Sequence, residues 1–216
     1  ERSFEKRARE SATTHLRRLH ASLRSSAPAP VPLLKAIDAK PLVVGGFSKD
    51  PDATRGYATG NKAKGYKLFA LVDQHGLIAW EVQGLGTSEL TVARRLIPHL
   101  EGAGYLLGDA LYDSNGLHDL TGVCNHQLLT PRKKPHTGLG HGPQSPRRLR
   151  AIELLEPHAQ QRHDFGPSLY AARTAIERTF APLGNFGGGL GPLPNWVRRL
   201  QRVRRWVAAK LILNAL

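Results

Sequence analysis

Methionine is absent from this 216-residue chain, and cysteine occurs once, at Cys124. A single thiol excludes an internal disulfide and leaves no thiolate cluster for a metal. A chain without methionine lacks a start residue, so a preceding N-terminal piece is expected. No apolar run approaches the ~20 residues that a membrane-spanning helix requires, and no secretory signal pattern opens the chain. The expectation is a soluble, cytoplasmic protein. Acids are also scarce. Seventeen Asp and Glu stand against 31 Lys and Arg, for a formal net charge of +14 and a pI near 10.5. A field of that size and sign points to a polyanionic partner, nucleic acid before membrane surface.

What is present divides the chain in two. Residues 1–24 repeat apolar side chains at steps of three or four (Phe4, Ala8, Ala12, Leu16, Leu19, Leu23) among basic ones, an amphipathic basic helix. The run SSAPAPVP at 25–32 breaks that helix, because proline lacks an amide donor and biases its neighbours to extended geometry. Residues 1–32 are therefore read as a helical arm and linker, and 33–216 as one folded domain.

Within 33–216 the pattern alternates. Residues 33–44 (LLKAIDAKPLVV) are apolar and extended, 47–64 read as a polar Gly- and Lys-containing loop, and 65–73 with 76–85 read as a hairpin about Gln74-His75. A helix follows from Ser88, a plausible N-cap, then a strand at 105–113, a short helix near 115–124 and a strand at 126–132. Strand and helix in this alternation give an α/β sheet. Residues 133–148 form a basic Gly- and Pro-rich loop whose His136 and His141 lack the spacing of a metal pair. Helical pattern resumes at 147–156 and 165–181, GNFGGGLGPLP at 184–194 is a flexible connection, and a helix closes the chain at 195–216. That last helix carries Trp196, Leu200, Val203, Val207 and Leu211 on one face and Arg198, Arg202 and Arg205 on another, flanked by Arg199 and Arg204. One face packs and the other suits phosphate.

Three acids stand out from this background. Asp38 interrupts an apolar strand, Asp109 follows another, and Glu177 lies in a basic and apolar helix. Carboxylates gathered together repel unless cations join them, and two Mg²⁺ ions about 3.5–4 Å apart would neutralise them and activate phosphodiester chemistry. Tyr170, Arg173 and Glu177 fall at i, i+3 and i+7, one face of a helix, where a guanidinium fork and a hydroxyl suit phosphate oxygens.

The segments AIDAKPLVVGG, YLLGDALYDS and YAARTAIERTF together resemble the first-, second- and third-acid segments of DDE transposases of bacterial insertion sequences, of the subgroup with a Tyr-x2-Arg-x3-Glu-x6-Lys signature. The resemblance spans roughly residues 33 to 216. It implies a ribonuclease-H-like α/β fold, a mixed sheet flanked by helices, with basic helical segments at both ends. It also implies a DNA transposase that cleaves transposon ends and transfers strands with two Mg²⁺ or Mn²⁺ ions. Asp38, Asp109 and Glu177 would be the catalytic metal ligands, with Tyr170 and Arg173 against the DNA backbone and Arg198, Arg199, Arg202 and Arg205 as further DNA contacts. Double-stranded DNA, as transposon ends and target, would be the partner, with a homodimer in a synaptic complex and a bacterial, nucleoid-associated location.

The sequence departs from the signature at one place: six residues beyond Glu177 stands Gly184 in place of Lys. Either the last Arg-rich helix substitutes, or this is a decayed DNA-binding remnant; a metal-dependent nuclease without strand transfer is the third reading. Asp113 is a rival to Asp109. The pattern of an apolar strand ending in Asp and followed by Tyr-Asp favours Asp109, and makes Asp113 a turn or cap residue.

Overall fold

The computed structural model describes residues 12, 14–16, 18, 19, 22, 30–58, 60–156, 164–178, 189, 190 and 193–215. Most of the N-terminal arm, Gly184 and most of the Gly-rich connection lie outside these residues; the described positions between 12 and 22 are helical.

Six strands form one mixed sheet: β1 (Leu34–Val44), β2 (Thr54–Ala58), β3 (Asn61–Asp73), β4 (Gly76–Gly84), β5 (Gly104–Leu107) and β6 (His126–Leu129). The long central β3 pairs antiparallel with β1 along one edge. On its other edge it pairs with β2 up to Gly65 and with β4 from Tyr66. Parallel β5 and β6 extend the sheet beyond β1. With the short β2 set aside, the order β4-β3-β1-β5-β6, three antiparallel strands followed by two parallel to β1, is the ribonuclease-H-like order. The hairpin turn at Gln74-His75 is closed by Asp73, whose Oδ1 accepts from the His75 amide at 2.8 Å, and by Gly76 at φ 111°.

The expected loop at 47–64 is not a loop throughout. Thr54–Ala58 and the start of β3 form a second hairpin there. Lysines and glycine hide the signal, because β2 and the first residues of β3 are mostly exposed and lack the apolar alternation that reveals a half-buried strand.

Pro41 lies inside β1, where a central strand should reject it. Parallel pairing of β1 with β5 stops at Ala36, so beyond that point β1 has a free edge that tolerates a missing amide.

Among the described residues, five helices lie against the sheet: α1 (Glu89–Leu96), α2 (Asn115–Val123), α3 (Pro146–Leu155), α4 (Phe165–Glu177) and α5 (Leu200–Ala215). Period-two alternation splits the core. Ile37, Phe69, Leu71 and Leu106 face Val92, Leu96 and Leu117 of α1 and α2. Ala36, Leu68, Ala70, Val82 and Leu107 face the other way, toward Ala151 of α3 and Val203, Val207 and Leu211 of α5. The last helix starts later than its pattern suggests: Trp196 precedes it and is 66% exposed rather than packed. No helix among the described residues is long and apolar enough to cross a membrane.

One buried polar pair fixes the start of the sheet. Lys35 and His126 are each 1% exposed, and Lys35 Nζ lies 2.8 Å from His126 Nε2. An ammonium can only donate, so Nε2 accepts, and Nδ1 carries the proton toward the Cys124 carbonyl. The imidazole is therefore neutral. Burial pushes its pKa below the ordinary 6.5, the Cys124 carbonyl opposes this, and Lys35 adds to it. A depressed histidine pKa means that the unfolded chain takes up the proton first as pH falls. Urea-unfolding free energy should therefore drop as pH is lowered below about 6.5, and His126→Gln should remove that part of the dependence.

Candidate active site

The parallel register of β1 and β5 sets the geometry. Leu34, Lys35 and Ala36 pair with Tyr105, Leu106 and Leu107. Asp38 stands two residues beyond Ala36 in β1, and Asp109 two beyond Leu107. Two residues is one full period of a strand, so Asp38 keeps the face of Ala36, at the level that Asp109 reaches on leaving β5. Ala36 and Leu107 share one core cluster, on the side that α4 covers. The two acids thus reach one level, Asp38 within β1 just past its pairing with β5 and Asp109 just past the carboxyl end of β5.

Each acid has a local reason for its position. Asp109 has extended backbone (φ −77°, ψ 177°) at the head of a single 3₁₀ turn over Ala110–Tyr112, and its Oδ1 accepts from the Leu111 amide at 2.8 Å. The expected strand through 113 therefore stops at Leu107. Asp38 keeps a side chain 35% exposed, and Arg173 Nη2 of α4 lies 4.0 Å from its Oδ1. That guanidinium offsets part of the charge that an apolar strand would otherwise reject.

Tyr170 and Arg173 bind α4 to this end of the sheet. The Tyr170 hydroxyl donates to the Gly108 carbonyl at 3.1 Å, and Arg173 Nη1 donates to the Tyr170 oxygen at 3.1 Å. Both polar ends are thus turned inward onto the acid-bearing loop. Glu177, the last residue of α4, follows Arg173 by one helical turn. Its backbone is described; its side chain lies outside the described residues.

Tyr112 reports the same convergence from below. It is 1% exposed, and its hydroxyl has no hydrogen-bond partner among the described residues. Burial first, then the charges of Glu89, Asp38 and Asp109, raise its pKa well above the ordinary value, so the phenol stays protonated. Glu89 opens α1 and pairs with Lys67 at 2.7 Å.

Asp113 has a different task. Its side chain is 2% exposed. Arg148 Nε and Nη2 of α3 donate to its two oxygens at 2.6 and 2.7 Å, and the Lys133 amide adds a bond at 3.0 Å. Burial alone would raise its pKa. The Arg148 fork, His118 and the Lys133 amide outweigh it and hold the carboxyl well below the usual range. It does close the 3₁₀ turn, as a turn residue would, and it is also the buried anchor of α3.

The basic segments divide in the same way. Arg148 is committed to Asp113, and Arg132 forms a two-pronged pair with Glu156 at 2.8 and 2.6 Å. Lys133, Lys134, Arg147 and Arg150 remain exposed. Arg198 and Arg199 precede α5. Arg198 donates to the Pro194 and Val197 carbonyls at 2.7 and 2.9 Å, while the Arg199 amide donates to Asp50 at 3.0 Å. Arg204 turns to the Val82 carbonyl at 3.1 Å. Arg202 is exposed and Arg205 half buried, so the arginines do not form one continuous outward stripe. Arg148 was not legible as the partner of Asp113, because no spacing rule relates residues on different elements.

The carboxylates suit a hard divalent cation: oxygen ligands from two adjacent strands, partly open, with a third acid on the neighbouring helical turn. Among the described residues, no group of three His, Cys, Asp or Glu is near enough to hold a metal; the Glu177 side chain is not among them.

In sequence, the chain matches the transposase DDE domain family over residues 30–213. No match is found among curated proteins. Solved structures similar to it include the piggyBac transposase synaptic complex with hairpin DNA, at 14% identity and TM-score 0.38 over 60% of this chain and 27% of that one. The Mos1 transposase paired-end complex with left transposon end shares 16% identity at TM-score 0.32, over 76% of this chain and 49% of that one. The Mos1 mariner paired-end complex with Mn shares 14% at TM-score 0.37, over 95% and 61%. In each case the chain spans less than two thirds of the other protein.

The two neighbouring aspartates should separate cleanly in stability. Asp113→Asn should lower the urea-unfolding free energy by roughly 3–5 kcal/mol, because it strands the Arg148 charge. Asp109→Asn should change it by about 1 kcal/mol or less, since Asn also caps. The reverse order would contradict the roles assigned here.

Proposed function

We propose, on the premise that this chain belongs to the transposase DDE domain family, that it cleaves DNA at transposon ends and transfers the freed strands to target DNA. The observation that carries this reading is the levelling of Asp38 and Asp109 on adjacent parallel strands, with α4 tied to the same point through Arg173 and Tyr170. Residues 33–216 are the catalytic domain, and 1–32 a basic arm and linker. Double-stranded DNA is the substrate, met by a homodimer in the bacterial cytoplasm.

DDE transposases use divalent metal ions. Asp38, Asp109 and Glu177 would hold two Mg²⁺ or Mn²⁺ ions, which when bound supply an activated water and a stabilised leaving 3′ oxygen. The chain's own residues set the stage for that chemistry. Arg173 neutralises part of the charge at Asp38, and its bond to Tyr170 holds the pair as one unit. The Tyr170 bond to Gly108 fixes the distance between α4 and the strand end that carries Asp109. Tyr170 and Arg173 are therefore positioning groups, with DNA contact a second role for Arg173. Held protonated by burial and by Glu89, Asp38 and Asp109, the Tyr112 hydroxyl adds no further charge beside the acids. Arg199 and Arg202, exposed before and within α5, and Lys133, Lys134, Arg147 and Arg150 would meet the phosphate backbone.

Nicking of supercoiled plasmid bearing transposon ends, with Mg²⁺ or Mn²⁺ against chelator, tests this reading. Asp38→Asn, Asp109→Asn and Glu177→Gln should each reduce metal-dependent nicking to background while DNA affinity stays within about threefold. Equal loss of binding and cleavage in folded variants would overturn the assignment. Joining of cut 3′ ends to a second plasmid distinguishes a transposase from a nuclease; salt-sensitive binding without cleavage would mark a remnant. Tyr170→Phe should slow nicking with DNA affinity unchanged and cost about 1 kcal/mol of stability.

A further inference from the structure

We propose that the β2–β3 hairpin is a binding surface for an unpaired DNA strand, with Tyr57 as a stacking platform for a base and Arg55, Lys62 and Lys64 as phosphate contacts. The proposal rests on the DNA-processing reading above and adds a surface that reading does not use.

Strand register places these residues. Residues directly opposite each other in a sheet point to the same face, and so do every second residues along a strand. From Asp38, the face runs through Lys40 and Leu42 to Val44, which pairs with Lys64. Lys64 in turn pairs with Arg55, and Lys62 with Tyr57. All four hairpin residues therefore lie on the face that carries Asp38. They lie toward the carboxyl end of β1, the end at which Asp109 follows β5. Val44 is about 20 Å along the strand from Asp38 at ~3.3 Å per residue, and the hairpin continues beyond it. Leu42 and Val44 on that face are buried in the core, so the hairpin surface is separate from the acids and meets DNA beyond the covered part of the sheet.

The chemistry fits a single strand. Between Ala53 and Val72 the chain has no Asp or Glu, but carries Arg55, Lys62, Lys64 and Lys67. Arg55 and Lys62 are exposed. Lys64 Nζ donates to the Ser48 carbonyl at 2.7 Å, which holds one cation at the base of the hairpin. Tyr57 is 69% exposed. A tyrosine ring in water between cations offers what an unpaired base binds, a π-face with phosphate charge neutralised on either side. Paired bases within a duplex keep their faces stacked on each other, so the ring adds little to duplex binding.

Fluorescence anisotropy of the full chain in chelator, where no cutting occurs, tests this. The probes are a labelled oligothymidylate and a duplex of equal length. Tyr57→Ala should weaken oligothymidylate binding about 5- to 100-fold and leave duplex binding within about twofold, with Tyr57→Trp restoring it. Arg55→Glu with Lys62→Glu should weaken both probes and flatten the salt dependence. Unchanged oligothymidylate affinity in Tyr57→Ala would overturn the proposal. So would equal weakening for both probes, or a lowered light-scattering mass, which would mark the hairpin as a contact with a second copy. Failure of the acid site would show separately, as metal-dependent nicking that survives Asp38→Asn.

Discussion

The parallel pairing of β1 with β5 is the constraint on which the site depends. Three residue pairs, Leu34 with Tyr105 through Ala36 with Leu107, bring two aspartates far apart in sequence to one level of one face. A slip of one residue would send Asp38 to the opposite face, among Phe69, Leu71 and Val92, where an acid has no partner. Burial of both faces of β1 and β5 thus protects the register, and the register protects the chemistry. Because pairing ends at Ala36, β1 is freed from its parallel neighbour where Asp38 needs space and where Pro41 needs an edge.

Charge is handled by a division of labour. Buried acids are matched by arginines or amides: Asp113 by Arg148 and the Lys133 amide, Asp50 by the Tyr66 hydroxyl at 2.6 Å and the Arg199 amide. These pairs hold α3 and the approach to α5 against the sheet. Asp38 is matched more loosely, by a guanidinium at 4.0 Å with a third of its side chain open. Asp113, by contrast, is buried and saturated by the Arg148 fork and the Lys133 amide. Asp38 and Asp113 therefore differ in exposure, and the difference lies in what α4 and α3 bring to each.

Much of this was legible beforehand. Short apolar runs bounded by turn residues mark β1, the β3–β4 hairpin, β5 and β6, and the acids stand out because each interrupts or ends such a run. The β2–β3 hairpin escapes such a pattern because β2 and the first residues of β3 are mostly exposed and carry lysine and glycine instead of alternating apolar residues. A helical wheel makes the arginine stripe before and along α5 continuous only if residues 195–199 are helical. The chain enters α5 only at Leu200, through Arg199 at φ 70°, so Arg198 turns back onto the Pro194 carbonyl.

The sequence by itself determined the polyanion-seeking charge, the α/β alternation and the identity of the acids, since each is a property of composition or of local period. Only the tertiary structure decided which acid is open and which is saturated, which arginines face inward, and that Lys62, Lys64, Arg55 and Tyr57 share a face with Asp38. Those are relations between residues on different elements. Hydrogen-bond register and packing set them, and no local period in a single chain encodes them.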